Sequence, residues 1–382
     1  MALSRTWPAI RVRAHRITLA IVLGTGAALA SGGAATAANN DLKLLNLCPP
    51  GSGGECSWIT RNGAGLISSP TYDATGKLLP QAMWSEGPFD IPAEAQTAFR
   101  SLMSELGVAI APRLQTPADT LGYAGFQFSA ELGVTKINSS RAFWNGTEGH
   151  SSSAKDGDRA DSYLTTVGGF VRKGLWLPLP AFEFGAGALN IVGSRMYVVQ
   201  GYAKLALQEG FHGWWLPSFA VRGAVSQLLG TDQVDLNVYS LDFVLSKAFG
   251  LAGTSRLEPF VGGNVLFIDA QSNVIDATPT CDAYAAQVAT SAKDVTGCNP
   301  GQVGGTNDTF GNFTFPQQSI ITRYRGSVGF KLKLSVLFLV GEFDYTKGGS
   351  SQDGKQPATQ TQAVRDQSGG QQSFSLSAGF DF

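Results

Sequence analysis

The sequence predicts an all-β fold: a transmembrane, antiparallel, up-and-down β-barrel of about ten strands, within a range of about eight to twelve, with an irregular and helical amino-terminal segment. Three observations favour this fold. Beyond residue 121, apolar and polar residues alternate in one segment after another, which is the period of a half-buried strand. The connections between these segments are alternately long and short. After the first 37 residues, no apolar run approaches the roughly 20 residues of a membrane-spanning helix.

Ten alternating segments are present, and each is long enough to cross a bilayer, because a tilted transmembrane strand needs about 9–11 residues. The segments lie at about 122–137, 162–176, 181–193, 195–208, 217–229, 234–248, 257–270, 319–333, 335–347 and 371–382.

The connections fall into two sets, one for each end of the predicted barrel, and all three long connections belong to the same set. If that set is external, the carboxy terminus and the short turns are periplasmic, which is the asymmetry of bacterial outer-membrane barrels. The predicted external loops are near 138–161, 194, 230–233, 271–318 and 348–370, and the predicted periplasmic turns are near 177–180, 209–216, 249–256 and 334.

Charged residues follow one face of the predicted strands. In the segment 319–333, Val328 and Phe330 lie on one face, and Lys331 and Lys333 lie on the other. A charged side chain on the lipid face costs about 2–4 kcal/mol at the bilayer midplane, so the charged faces point into the barrel. There they either pair with one another and fill a narrow interior, or line a narrow path for small solutes. The predicted lumen-lining residues are Arg172, Glu183, Lys204, Arg222, Asp242, Glu258, Arg323, Arg325, Lys331, Lys333, Glu342 and Asp344.

The first 37 residues predict an export signal, a signal peptide of residues 1–37. Four arginines precede an apolar run from Ile17 to Ala30, and a small-x-small cleavage pattern ends at Ala37. The run has only about 14 residues, which argues against the competing interpretation, a retained membrane anchor. Removing the four arginines makes a chain with a formal net charge of −1 more acidic, so nucleic-acid binding is not expected.

Residues 38–118 do not alternate and are predicted to form a periplasmic or plug segment, ahead of a barrel over 119–382. Apolar residues recur at helical spacing over about 91–106, which predicts one short helix. This helix would lie inside the barrel as a plug, cover its periplasmic mouth, or pack on the turns as a soluble helix. The stretch 106–113 has an alternative interpretation as one more strand.

Four cysteines in an exported chain predict two disulfides. The local pairing of Cys48 with Cys56 and of Cys281 with Cys298 is favoured, because the other pairings require distant regions to meet. The spacings do not fit a zinc site, and neither a metal nor a cofactor is expected.

One group of residues imitates the active site of an omptin-type protease, which uses Asp and His at the external rim of a barrel. His150 lies near Asp156, Asp158 and Asp161 in the first external loop. The loop is rich in Ser and Gly, and a mobile loop does not hold catalytic geometry without support. No enzymatic activity is therefore predicted.

The last ten residues carry a resemblance to a known family. Phe374, Leu376, Phe380 and Phe382 lie on one face of a strand that ends at an aromatic carboxy terminus. This strand resembles the closing strand of bacterial outer-membrane β-barrel proteins, the porin-like or outer-membrane channel superfamily, with no narrower family assigned. The resemblance implies residence in the bacterial outer membrane, contact with its lipid, and recognition of these four residues by the barrel-assembly machinery.

The expected function is that of a non-enzymatic envelope protein, either a small-solute channel or a structural and surface-binding barrel. The alternative is a transporter of hydrophobic compounds that uses the amino-terminal segment as a hatch. An outer-membrane hydrolase ranks third. The sequence does not identify a solute or an oligomeric state.

Overall fold

The computed structural model describes residues 39–47, 91, 93–150, 161–175, 181–210, 215–252, 255–273, 275–276, 312–355 and 362–382. The predicted signal peptide lies outside the described residues. So do the four cysteines of the predicted disulfides, Cys48, Cys56, Cys281 and Cys298.

Ten antiparallel strands form one closed sheet, which confirms the predicted fold class. Each strand pairs with the next one along the chain, and the last strand pairs with the first. The strands are β1 (Phe126–Lys136), β2 (Tyr163–Leu175), β3 (Phe182–Ile191), β4 (Tyr197–Gln208), β5 (Ser218–Leu229), β6 (Val234–Ser246), β7 (Ser255–Ser272), β8 (Ile321–Leu334), β9 (Leu337–Thr346) and β10 (Gln371–Asp381).

The barrel has a loop end and a turn end. The loop end carries the connections β1–β2, β7–β8 and β9–β10, which are the longest in the chain. The turn end carries only connections of fewer than ten residues, together with the carboxy-terminal Phe382, while the short connections β3–β4 and β5–β6 lie at the loop end. A short strand, Phe249–Ala252, pairs with the start of β7 at the turn end, and Ile275–Asp276 pairs with Asn312–Phe313 in a separate ribbon after β7.

The barrel closes through nine consecutive residue pairs between β1 and β10, from Gln127 with Asp381 to Thr135 with Ser373. Closure matters because an open edge would leave backbone amide and carbonyl groups without partners in lipid. Ala130 and Ala378 lie directly opposite each other near the middle of this seam.

We expect the double variant Ala130→Cys with Ala378→Cys to form a crosslink on mild oxidation or with a short bifunctional maleimide. Directly opposed residues of antiparallel strands place their Cβ atoms about 4.5–5.5 Å apart, which is near disulfide range. The crosslinked chain should migrate faster than the reduced chain on a denaturing gel. The two single variants are the controls, and a double variant that behaves like them would contradict the closed seam.

The outer surface of the barrel is apolar in its middle and aromatic at both ends. Phe128, Leu132 and Val328 are among its exposed side chains, at 47%, 43% and 55% exposure. Aromatic rings with a polar edge favour the headgroup zones on either side of the hydrocarbon. The exposed aromatic residues near the ends include Tyr163, Tyr197 and Tyr345 at the loop end and Tyr123, Trp215, Phe249 and Phe382 at the turn end.

One α-helix, α1 (Ala93–Ile110), lies within the loop end of the barrel. Its apolar residues pack against inward-facing residues of the wall, and Gly107 allows a close approach, since a Cβ there would lie 2.7 Å from Cγ2 of Ile268. The interpretation of residues 106–113 as another strand is wrong: the helix continues to Ile110, and the closed sheet has no edge for a further strand. No helix among the described residues has the length and apolar character to cross a membrane.

The chain then passes down the lumen as an irregular segment, residues 111–121, which we call the strap. Its upper part contacts the middle of the barrel, and Leu121 lies at the turn end. Gly122 adopts a φ of +74°, a conformation that favours glycine, and there the chain reverses into β1. We call α1 and the strap together the plug.

Residues 39–47 lie at the loop end, on top of the connections. The Asn40 amide donates to the Gly193 carbonyl oxygen (2.9 Å), and Leu42 bridges to Thr147. The Leu44 amide donates to the side chain of Gln233 (2.7 Å).

Two apolar clusters fill the interior around the plug. The larger one surrounds α1 at the loop end, and the smaller one surrounds Leu114 and Ala118 of the strap. Phe260 and Leu266 interrupt the alternation of β7 with apolar inward-facing side chains, and the structure gives the reason. Leu266 belongs to the cluster around α1, and Phe260 belongs to the cluster around the strap.

Candidate functional site

The lumen is the candidate site, and its wall carries the twelve charged residues that the sequence places there. Eleven of the twelve are buried, and the side chain of Lys333 is 32% exposed. The buried ones are Arg172, Glu183, Lys204, Arg222, Asp242, Glu258, Arg323, Arg325, Lys331, Glu342 and Asp344.

Arg222 holds the strap at mid-height. Its Nε donates to Oδ2 of Asp242 (2.6 Å), and its Nη1 donates to the carbonyl oxygens of Arg113 (2.8 Å) and Leu114 (3.1 Å). The guanidinium also lies 5.1 Å from the ring centroid of Tyr202. The pair Arg222–Asp242 is therefore one ion pair of the wall that also binds the plug backbone.

Lys204 and Glu183 hold the lower strap in the same way. Nζ of Lys204 lies 3.1 Å from Oε1 of Glu183 and donates to the carbonyl oxygens of Pro117 (3.1 Å) and Asp119 (3.0 Å). Oε2 of Glu183 accepts a hydrogen bond from the Leu121 amide (3.0 Å). Both members of the pair thus satisfy backbone groups that would otherwise be buried without partners.

Glu342 and Arg325 bind the upper strap. The carboxylate of Glu342 accepts hydrogen bonds from the amides of Leu114 (3.0 Å) and Gln115, and Arg325 donates to the carbonyl oxygen of Pro112. The strap does not pair with a strand, so hydrogen bonds from these side chains replace the backbone hydrogen bonds that a strand would make in a sheet.

Arg172 pairs with the wall. Its Nη2 lies 2.6 Å from Oε1 of Glu131, its Nη1 donates to Oγ of Ser129 (2.8 Å), and its guanidinium lies 4.7 Å from the ring centroid of Phe170. This arrangement is the mutual pairing of wall charges that fills a narrow barrel.

The turn end holds a second group of ion pairs around a small cavity of about 220 Å³. Acidic and basic side chains alternate there, so the mouth carries no strong excess of either charge. The pairs are Lys331–Asp381 (2.7 Å), Lys333–Asp381 (3.1 Å), Arg256–Asp119 (2.8 Å) and Arg256–Glu258 (2.6 Å).

At the loop end, Glu105 of α1 binds two of the connections. Its carboxylate accepts hydrogen bonds from Nε1 of Trp144 (2.8 Å) and from the amides of Asn138 (3.0 Å) and Gly369 (3.0 Å). Glu105 is fully buried, so these three donors replace the water that an exposed carboxylate would bind.

Two arginines extend this network. Arg323 of β8 donates to the hydroxyls of Ser104 (2.7 Å) and Ser368 (2.6 Å), and Arg100 of α1 donates to the Ser319 carbonyl oxygen (2.8 Å). The connection β9–β10 and the residues just before β8 are therefore joined to α1 by hydrogen bonds inside the barrel.

The strand pattern does not predict Arg100, Glu105 and Arg113, because these residues lie on α1 and the strap. A signal was present in the sequence, since Arg100 and Glu105 fall within the segment whose apolar residues recur at helical spacing, and the structure buries both. Buried charges on a helix indicate specific polar partners.

Of the protease-like group, the structure describes His150 and Asp161 alone. The two ring nitrogens of His150 contact the Thr147 hydroxyl (2.9 Å) and the Asp161 carbonyl oxygen (3.1 Å), and burial lowers the pKa of His150 against the opposing effect of that carbonyl. Asp156 and Asp158 lie outside the described residues. Within the described part of the chain, no cluster of three or more His, Cys, Asp or Glu side chains could hold a metal ion.

The sheet is closed, its exterior is apolar with aromatic ends, and its interior is charged. These features together establish the architecture. The chain folds as a transmembrane β-barrel. No family model and no curated protein matches it. Among solved structures it is similar to the N-terminal β-barrel domain of OprF from Pseudomonas aeruginosa, with 11% identity, a TM-score of 0.24, and coverage of 68% of this chain and 99% of that one.

Two further solved structures are similar to this barrel. The attachment invasion locus protein Ail of Yersinia pestis has 9% identity and a TM-score of 0.23 over 68% of this chain and 99% of that one. Neisserial surface protein A has 11% identity and a TM-score of 0.23 over 67% of this chain and 95% of that one. Likenesses of this size carry no functional information, and the barrel fold is established by the strand pairing itself.

Proposed function

We propose that this chain is an integral outer-membrane barrel whose lumen is closed by its own plug, and that it serves as a structural or surface-binding protein, not as an enzyme or a constitutive pore. The observation that carries the proposal is the passage of the plug through the whole lumen. From α1 at the loop end to Leu121 at the turn end, plug backbone groups are hydrogen bonded to buried side chains of the wall.

The orientation follows from the asymmetry of the ends. In outer-membrane barrels the long connections are external and the short turns are periplasmic. The loop end, with residues 39–47, then faces the outside of the cell, and Phe382 faces the periplasm.

The attachment of the external connections to α1 supports the surface-binding part of the proposal. Glu105 and Arg323 each bind backbone or hydroxyl groups of the connections from within the barrel. A surface whose loops are held in place loses less conformational entropy when it binds a partner.

The same contacts argue against the two transport functions in the described state. A small-solute channel needs a continuous path, and the strap occupies it. A carrier of hydrophobic compounds would need the apolar upper lumen, where Leu102 and Leu106 of α1 and Leu236 and Leu266 of the wall share one buried cluster. A hydrophobic ligand would have to displace the helix.

In planar bilayers we expect the purified full-length protein to show no stable conductance level in concentrated KCl. The physical reason is that ions would have to displace the strap from its wall contacts. A gel-shift assay on the same sample, before and after boiling, shows whether the barrel is folded. A stable open level from folded protein would overturn the proposal and support a constitutive small-solute channel.

A further inference from the structure

The wall of the lumen is not uniform around the strap. On β3, β4, β5, β8 and β9, charged side chains bind the strap backbone, as Lys204, Arg222 and Glu342 do. On β10 and β1 the inward-facing side chains between the longer Gln127, Glu131, Gln371 and Asp381 are short. This serine wall consists of Ser129, Gly133 and Thr135 on β1 and Ser373, Ser375 and Ser377 on β10.

Among the described residues, the only bond from the strap to the serine wall is a long one, from Nη2 of Arg113 to Oγ1 of Thr135 (3.4 Å). No strap backbone group is bonded to β10 or β1 in this part of the chain. The strap backbone is thus hydrogen bonded to the charged side of the wall and lies next to the serine wall without such bonds.

Buried polar atoms without a hydrogen-bond partner concentrate on this unattached side. Twelve such side-chain atoms occur among the described residues, and six belong to β10, β1 or the strap residue Gln115. The wall members are Oγ of Ser375 and Ser377, Nε2 of Gln127 and Oε1 of Gln371.

These atoms form a column along the barrel. On β10 the column comprises Ser377 and Ser375, which are two residues or roughly 7 Å apart, and Gln371, which is four residues from Ser375 because the intervening Ser373 is hydrogen bonded to Thr135. The four wall residues are all at least nine-tenths buried. A buried hydroxyl or amide without a partner is destabilising, and contact with water removes that cost.

We propose that the strap separates from the serine wall in a minor state, and that water and small uncharged polar solutes pass between them. The inference rests on the proposed function only in placing the strap inside a lumen closed to ions. Separation hydrates the unpartnered atoms and breaks the single long bond to Thr135, whereas separation from β3 to β9 would break the charge-assisted bonds that hold the strap. At the turn end, the cavity of about 220 Å³ already lies between the strap and Gln127, Lys331 and Asp381.

The test is glycerol entry into proteoliposomes, followed by light scattering after an osmotic step. We expect wild-type protein to accelerate entry above that of protein-free vesicles. The double variant Ser375→Ala with Ser377→Ala removes two unpartnered hydroxyls, favours the closed state, and should lower the protein-dependent rate at least fivefold. A matched control, Ala378→Ser, makes the reverse exchange on the lipid face of the same strand and should leave the rate unchanged.

The gel-shift assay confirms that each variant is folded before its rate is compared. Wild-type vesicles that admit glycerol no faster than protein-free ones would overturn the inference, and so would a double variant with the wild-type rate. Neither result contradicts the proposed function, which only a stable ionic conductance would overturn.

Discussion

Replacement of Arg222 by leucine is expected to lower the free energy of unfolding by about 3–5 kcal/mol, because it leaves Asp242 buried without its cationic partner. The same change removes the donor to the carbonyl oxygens of Arg113 and Leu114, so the strap loses its central attachment. The measurement is a urea titration in detergent micelles, followed by the fraction of heat-modifiable, folded protein on a gel.

A double-variant cycle separates the two causes. Asp242→Leu added to Arg222→Leu removes the uncompensated carboxylate, so the double variant should regain part of the lost stability. The remaining loss reports the strap contacts. Arg141→Leu is the control, because Arg141 is exposed in the connection β1–β2, and we expect no measurable change. A single variant as stable as wild type would show that Arg222 does not lie in a dry interior.

Replacement of Leu376 by arginine is expected to cost about 2–4 kcal/mol of folding stability in a bilayer, because Leu376 faces outward near the middle of β10. The leucine lies opposite Leu132 on the closing seam, so the same variant should also slow insertion into lipid vesicles. The measurement is the yield and the urea dependence of folding into such vesicles.

A control on the same strand and the same face isolates the effect of depth. Gln372→Arg lies at the loop end of β10, four residues from Leu376, where an arginine reaches the headgroups and costs only about 0–1 kcal/mol. Equal behaviour of the two variants would mean that this face of β10 is not in contact with hydrocarbon.

The strands were predictable because their cause is local. Each segment has to place apolar side chains in lipid and polar side chains inside, so every strand shows the alternation. In β10, for example, one face carries Phe374, Leu376 and Phe380, and the other carries Ser373, Ser375 and Ser377. The asymmetry of the connections is equally visible, since it depends only on their lengths.

The plug was not predictable in the same way. A helical apolar pattern indicates that α1 is buried but does not say against which surface, and the strap has no periodicity because its partners are side chains scattered over the wall. The sequence contained only indirect signs of the plug. Phe260 and Leu266 broke the alternation of β7, and Gly262 left space where a Cβ would lie 2.3 Å from Cδ1 of Leu114. Each of these residues is explained by a neighbour that belongs to the plug.

The path of the strap determines on which side of the membrane the start of the described chain lies. Ten strands alone form an even number of passages and would return the chain to the side where it began. The strap adds one passage inside the ring, so residues 39–47 and Phe382 lie on opposite sides. A closed ring of hydrogen-bonded strands does not admit a chain sideways, so the strap enters either before β10 joins β1 or lengthwise through one end of the barrel. In the proposed orientation, the segment synthesised before the barrel is thereby displayed on the cell surface.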